Sequence, residues 1–294
     1  MIERIFIPTV HRVDQQITFN NLPDELKARV TMVVQAWERD QYRYDCDYLV
    51  LPDTEEYHFS DYYCLPRTRK VIYEAGQDMK YAVLDDDLRF MRRNATYWSE
   101  VPDMEKSKRD ATAAEVGEMF SLFDQWLDEP SVTVCGCAYQ GAHPGDISGK
   151  KFYNNASLSS GIWVNGRDFK HILADLPLTA VRVAEDVVFL MSLLTRGFGN
   201  RVSRQWLYKN VSAAEGKRMA STVWDLQSYE ATQRDHRIVQ GLFPDFFRIL
   251  YDENGDRLKG GYRGYGKSRI SWSKAGKAGA ALRSKCFGGI YGKP

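Results

Sequence analysis

The stretch that most constrains this 294-residue chain is Tyr81-Ala82-Val83-Leu84, followed at once by Asp85-Asp86-Asp87. A short apolar run bounded by charge reads as a strand buried on both faces. Three consecutive carboxylates at its end repel one another, and holding them there costs stability unless positive charge compensates. A divalent ion that prefers oxygen ligands, Mn²⁺ or Mg²⁺, is a natural partner. An acidic turn facing water is the competing reading.

The text around that strand alternates strand and helix patterns. Arg4-Ile5-Phe6-Ile7-Pro8 reads as a first strand closed by proline. Leu22-Pro23-Asp24-Glu25 opens a predicted helix with acidic residues in its first turn, and Leu26, Val30, Val33, Val34 and Trp37 continue it at helical spacing. Residues 48–51 form a second strand, 66–75 a second helix and 81–84 the third strand. This βαβαβ order predicts a parallel sheet with helices on both faces. Ligands of such sheets bind at the carboxyl ends of the strands, so the loops at Thr9–Arg12, Asp53 and Asp85–Asp87 are expected to converge. Further on, the pattern predicts a helix over 113–127, a strand over 132–138 and a long polar loop over 140–155. A strand over 161–164, a helix over 187–194 stopped by Gly197, and a last helix over 234–250 follow.

Three more segments carry candidate chemistry. Pro66-Arg67-Thr68-Arg69 opens a helix, where arginines and free backbone N–H groups together can bind phosphate. A solvated basic helix face is the alternative. Pro8-Thr9-Val10-His11-Arg12 is a polar, basic turn after the first strand, suited to a nucleotide or to nothing more than a connection. Glu185 and Asp186 stand at a helix start, where they either cap the helix or act as a general base on an acceptor hydroxyl. The five histidines (His11, His58, His143, His171 and His236) never pair at ligand spacing. His143, in the long polar loop, is the one placed to touch a metal or an acceptor.

Charge is uneven along the chain. Residues 257–294 hold ten Lys or Arg and no acid, leaving 30 basic against 39 acidic residues elsewhere, a formal −9. Such a basic segment suits a polyanionic partner, DNA or RNA, through phosphate neutralisation and through stacking by Tyr262, Tyr265 and Trp272. A disordered solubility tail or a patch for anionic lipid is the alternative. Rich in Gly, Lys, Arg and Tyr, it reads as a mobile extension. The chain opens directly on a strand, without the charged and apolar regions of a signal peptide, and no run approaches a membrane span. Five cysteines without a framework suggest reduced thiols and a cytoplasmic protein. Cys135 and Cys137 sit in a strand pattern rather than in a zinc-finger spacing.

Taken together, Ile5-Phe6-Ile7-Pro8-Thr9, Pro66-Arg67-Thr68-Arg69, Leu84-Asp85-Asp86-Asp87 and Ala184-Glu185-Asp186-Val187 resemble a GT-A glycosyltransferase core. The overall text most resembles the TET/JBP-associated glycosyltransferases of bacteriophages over roughly residues 1–210. The resemblance implies an α/β fold, a Rossmann-type mixed, mainly parallel sheet flanked by helices. It implies a catalytic domain over 1–210, a helical region over 211–256 packing on it, and the basic extension over 257–294. Asp85 and Asp87 would be the metal ligands, and Asp86 would touch the donor ribose or sugar. Thr9, Arg12, Arg67 and Arg69 would meet the nucleotide and its phosphates. Asp186 would be the base, with Glu185 as partner or substitute. The donor would be a nucleotide sugar, UDP-glucose or a relative, and the acceptor the hydroxymethyl group of a modified pyrimidine in DNA, in the cytoplasm of an infected bacterium. The rivals are transfer to a surface polysaccharide or lipid-linked glycan, a nucleotidyltransferase, and a non-catalytic DNA-binding protein.

Overall fold

The computed structural model describes residues 1–58, 60–61, 63–93, 108–141, 152–211, 229–250 and 267–287. Its centre is one mixed sheet of ten strands, in the order β3-β2-β1-β4-β9-β7-β10-β5-β6, with β8 also paired to β10. The strands are β1 (Arg4–Pro8), β2 (Val30–Val34), β3 (Asp47–Val50), β4 (Lys80–Leu84), β5 (Leu88–Arg93), β6 (Lys108–Asp110), β7 (Val134–Tyr139), β8 (Phe152–Asn154), β9 (Gly161–Asn165) and β10 (Asn200–Asn210). The block β3-β2-β1-β4 is parallel throughout. Strand β9 runs against both β4 and β7, so β7 and its parallel neighbour β10 point the same way as β4. Seven of the ten described strands thus run in one direction, a mixed and mainly parallel sheet.

Burial follows the pleat. In β1, Ile5 and Ile7 face one side and Phe6 the other; in β4, Ala82 and Leu84 oppose Tyr81 and Val83. This two-sided burial is the period-2 rule applied to a sheet covered on both faces. On one face lies α4 (Ala113–Trp126), presenting Val116, Met119, Phe120, Phe123 and Trp126. Its start is fixed by a capping box in which Thr112 and Glu115 bond each other's backbone N–H. On the other face lie α3 (Cys64–Ala75) and α6 (Glu185–Thr195), whose Tyr73 and Phe189 rings stack at 4.2 Å. Such a ring pair contributes about 0.5–1.5 kcal/mol beyond its buried area, and here it locks two helices that carry functional candidates.

Three expectations need correction. The helix predicted through Val30, Val33, Val34 and Trp37 stops almost at once: α1 (Ile17–Asn21) precedes it, and α2 spans only Asp24–Lys27. Residues 30–34 are strand β2, buried at every position. A run of Val and Thr with no polar face suits a two-sided strand better than a helix. The last helix is shifted: α7 spans Tyr229–Leu242, and β11 (Phe247–Leu250) follows it. Within the segment read as a mobile extension, Lys267–Ile270 forms β12, antiparallel to β11, and Trp272–Phe287 forms α8. Helix α8 packs on α6, with Ala275 fully buried. Gly279 approaches so closely that a Cβ there would lie 1.9 Å from the Leu194 carbonyl oxygen. The short helix α5 (Gly166–Phe169) follows β9 directly. Residues 152–154 of the predicted 140–155 loop are β8, while His143, Tyr262 and Tyr265 lie outside the described residues.

Candidate active site

Strand β4 delivers the acidic triplet to the carboxyl end of the sheet, beside the turn that leaves β1. Asp86 and Asp87 are each only 7 % exposed. Their charge is met by the protein itself. Thr9 donates its hydroxyl to Asp86 Oδ2 at 2.7 Å, and Arg12 pairs with Asp86 Oδ1 while lying 3.5 Å from Asp87 Oδ2. Asn210, at the end of β10, donates to Asp87 Oδ1 at 2.8 Å. Gln16 steadies the turn by donating to the Thr9 hydroxyl (2.8 Å) and the Arg12 carbonyl (2.9 Å). Burial pushes the Asp86 carboxyl up to about 7, even though Arg12 and Thr9 pull it down. Asp86, expected at the donor, has one oxygen on Thr9 and the other on Arg12.

Asp85 meets a different arginine. It is the more exposed of the three, and its Oδ1 pairs with Arg69 Nη2 at 2.5 Å. Arg69 sits on the second turn of α3, and the start of α6 brings Glu185 and Asp186 to the same place. Burial opposes the Arg69 charge, but Asp85, Tyr73 and Glu185 around it raise its pKa on balance. Glu185 and Asp186 titrate as a coupled pair. Burial raises both carboxyls first; Asp186 adds to the rise at Glu185, and Asp85 adds to it at both. Both side chains keep partial contact with solvent. Asp85, Glu185 and Asp186 thus gather around the Arg69 guanidinium. Asp186 also accepts from the Val187 N–H at 2.8 Å, so its carboxylate meets a free N–H group at the start of the helix. Tyr208 stands nearby, its hydroxyl 2.6 Å from the Ser159 hydroxyl and pushed up to about 12, by burial first.

The structure therefore brings Thr9, Arg12, Asp85, Asp86, Asp87, Arg69, Glu185 and Asp186 to one end of the sheet. Arg67 is not with them. It donates to the Glu56 carbonyl at 2.6 Å and to Asp61 at 2.9 Å. Asp53 lies exposed beyond the outer strand β3, apart from this network. Sequence reasoning missed Tyr73, Tyr208 and Asn210, because each acquires its place only through long-range packing, and it missed Gln16, which braces the Thr9–Arg12 turn from a few residues on. It also missed Trp37, 40 % exposed, whose ring lies 5.0 Å from that of His11.

Among the described residues no group of three or more His, Cys, Asp or Glu stands ready to enclose a metal ion. A hard cation such as Mg²⁺ needs only one or two carboxylates when phosphates and water complete its shell. Asp85 and Asp87 are oxygen donors of that kind, so their chemistry fits such an ion.

Arg283, an exposed cation of α8, lies elsewhere. It approaches the Pro130 and Gly197 carbonyls, just before the amino ends of β7 and β10. That is the opposite end of the sheet from Asp85.

No protein-family model matches the chain, and no curated protein matches it in sequence. Among solved structures, it is similar to the apo form of the glycosyltransferase GlyE of Streptococcus pneumoniae TIGR4, at 12% identity and a TM-score of 0.34. That overlap covers 66% of this chain and 43% of GlyE, so the chain spans under half the length of that relative. It is also similar to a putative glucose-1-phosphate thymidylyltransferase from Bacillus anthracis in complex with a sucrose. There the identity is 7%, the TM-score 0.37, and the coverage 78% of this chain and 97% of the other. Overlaps this loose assign neither family nor activity, which have to be argued from the site. No helix among the described residues is long and apolar enough to cross a membrane.

Proposed function

We propose that this protein is a glycosyltransferase, moving a sugar from a nucleotide sugar, UDP-glucose or a relative, to the hydroxymethyl group of a modified pyrimidine in DNA. The observation that carries the reading is the meeting of Asp85, Arg69, Glu185 and Asp186 beside the Thr9–Arg12 turn. It puts cations for a diphosphate and a base for a hydroxyl at one end of the sheet. Arg12 and Arg69 draw the two phosphates of the donor toward the ends of β1 and β4. The exposed Trp37 ring offers a surface for the donor base. Asp85 and Asp87 would hold Mn²⁺ or Mg²⁺, whose charge screens the departing diphosphate. Asp186 takes the proton of the acceptor hydroxyl as its oxygen bonds to the anomeric carbon and the bond to the diphosphate breaks. Direct displacement of this kind inverts the anomeric centre. Burial and the neighbouring Asp186 raise the Glu185 carboxyl to about 8, so Glu185 keeps a proton beside Asp186.

The ten cations of residues 257–294 support a DNA acceptor. The position of Arg283 at the far end of the sheet favours a second reading, transfer to a surface polysaccharide or lipid-linked glycan, in which α8 serves stability alone. The test is donor turnover with Mn²⁺, offering UDP- and GDP-sugars against hydroxymethylated and unmodified duplex DNA. Acceptor-dependent release of nucleoside diphosphate, with a matching mass gain on digested nucleosides that Asp186→Asn abolishes, is the expected result. Donor hydrolysis without transfer to DNA would move the acceptor to a glycan. No turnover of any nucleotide sugar would end the reading altogether.

A further inference from the structure

Helix α6 begins in an unusual way. Its N-cap is Ala184, which offers no side chain to the free N–H groups and adopts a left-handed conformation, φ +69°. Ser, Thr, Asp or Asn ordinarily fills an N-cap, and a non-glycine residue enters the left-handed region only against a steric penalty. Nothing in the local sequence holds this turn, yet the next two residues are Glu185 and Asp186. Such backbone persists only where surrounding structure over-determines it.

The determinant comes from about fifty residues later. Asp235, on α7, is fully buried. Its Oδ2 accepts the backbone N–H groups of Arg182 at 2.8 Å and Val183 at 3.0 Å, the two residues before Ala184. The Arg182 and Arg234 guanidinium groups balance its charge, with Nε atoms 3.7 and 3.8 Å from its two oxygens. The neighbouring Arg234 reaches the hydroxyl of Tyr63, the residue before α3, the helix that carries Arg69. Consecutive residues of α7 therefore touch the segments that launch both site helices.

We infer that Asp235 is a positioning residue, whose carboxylate pins the 182–184 turn and so aims Glu185 and Asp186 at the acceptor. This rests on the transferase reading above. A misplacement of about 1 Å at reacting groups costs on the order of a hundredfold in rate. Asp235→Ala removes both acceptors, whereas Asp235→Asn keeps one oxygen able to take both N–H groups. Ala184→Gly accepts the left-handed conformation without a Cβ penalty.

The experiment pairs hydrogen exchange with kinetics on the full chain. In Asp235→Ala, exchange of the Arg182 and Val183 amides is expected to rise at least tenfold, with the β1 and β4 amides unchanged. Its kcat should fall about ten- to a hundredfold with KM for the nucleotide sugar within threefold, and the acidic limb of its pH profile should move down as the turn loosens. Asp235→Asn should stay within about threefold of wild type on every readout, and Ala184→Gly added to Asp235→Ala should recover part of kcat. Unchanged exchange at 182–183, or exchange raised equally across the sheet, overturns the inference. So does a loss confined to KM. If the wild-type protein transfers no sugar, the catalytic part falls with the functional reading. A local exchange response to Asp235→Ala would then show that the reading failed rather than the hold on the turn.

Discussion

Asp86→Asn tests whether the centre of the acidic triplet is held charged at the expense of stability. In the folded protein this carboxyl is raised from an ordinary 3.8 to about 7, burial outweighing the pull of Arg12 and Thr9. A folded-state pKa above the unfolded value means that the folded state binds the proton more tightly. The stabilisation is complete below about pH 4 and is lost as the pH climbs toward 7. Roughly three pKa units at about 1.4 kcal/mol each give a loss of about 4 kcal/mol across that window, an upper bound for a site that relaxes. Asparagine keeps the shape: its oxygen can face Arg12 and its amide can donate to the Thr9 hydroxyl. Guanidinium denaturation of both proteins at pH 5 and pH 7.5 cancels every other titrating group in the double difference. The variant should gain about 2–3 kcal/mol on wild type between the two pH values. Equal slopes, or a variant that loses ground at the higher pH, would show that Arg12 and Thr9 outweigh burial and would refute the reasoning.

Arg69→Ala leaves Asp85, Glu185 and Asp186 without their shared cation. Breaking such a partly buried pair costs about 3–5 kcal/mol, and the loss read by thermal unfolding should grow from pH 5 to pH 8 as Glu185, raised to about 8, ionises. Gly279→Ala drives a methyl into the Leu194 carbonyl; overpacking of this kind costs about 1–3 kcal/mol, seen as a lower denaturation midpoint and faster proteolysis beyond residue 267. Thr112→Ala removes the hydroxyl of the α4 capping box and should cost about 1 kcal/mol, measured by the same unfolding, with no effect on nucleotide-sugar turnover.

Much of the frame was legible because local pattern and final environment agree. Strands β1 and β4 are apolar runs bounded by proline or aspartate; α4 has a full apolar stripe and its cap. The helices carrying Arg69 and Glu185 were legible in outline, although α3 begins two residues earlier, at Cys64, and α6 starts from the left-handed Ala184. Misreading came where two periods fit one text. The spacing of Leu26, Val30, Val33 and Val34 satisfies a helix, and only the unbroken burial of 30–34 between two parallel neighbours decides for a strand. Helix α8 escaped notice because, beyond Trp272, its contact face is built from Ala275, Gly276 and Gly279, which pack by close approach rather than by an apolar stripe. Asp235 left a trace: it shares the i, i+4 stripe of Val239 and Phe243, a carboxylate on an apolar face. Its partners, two backbone N–H groups fifty residues away, leave none. Arg67 looked equivalent to Arg69 in sequence, and the two-residue step turned it toward Asp61 instead.

Helix α6 bears the paired carboxyls at one end and is gripped by α8 at the other. Order of synthesis therefore matters. A nascent chain that has emerged only as far as residue 250 already holds every candidate site residue from Thr9 to Asn210. The seat for Ala275 and Gly279 beside Leu194 is still open, exposing apolar helix surface to other chains. Chaperone binding should concentrate in that interval, and the helix should become firmly seated only when residues 267–287 arrive.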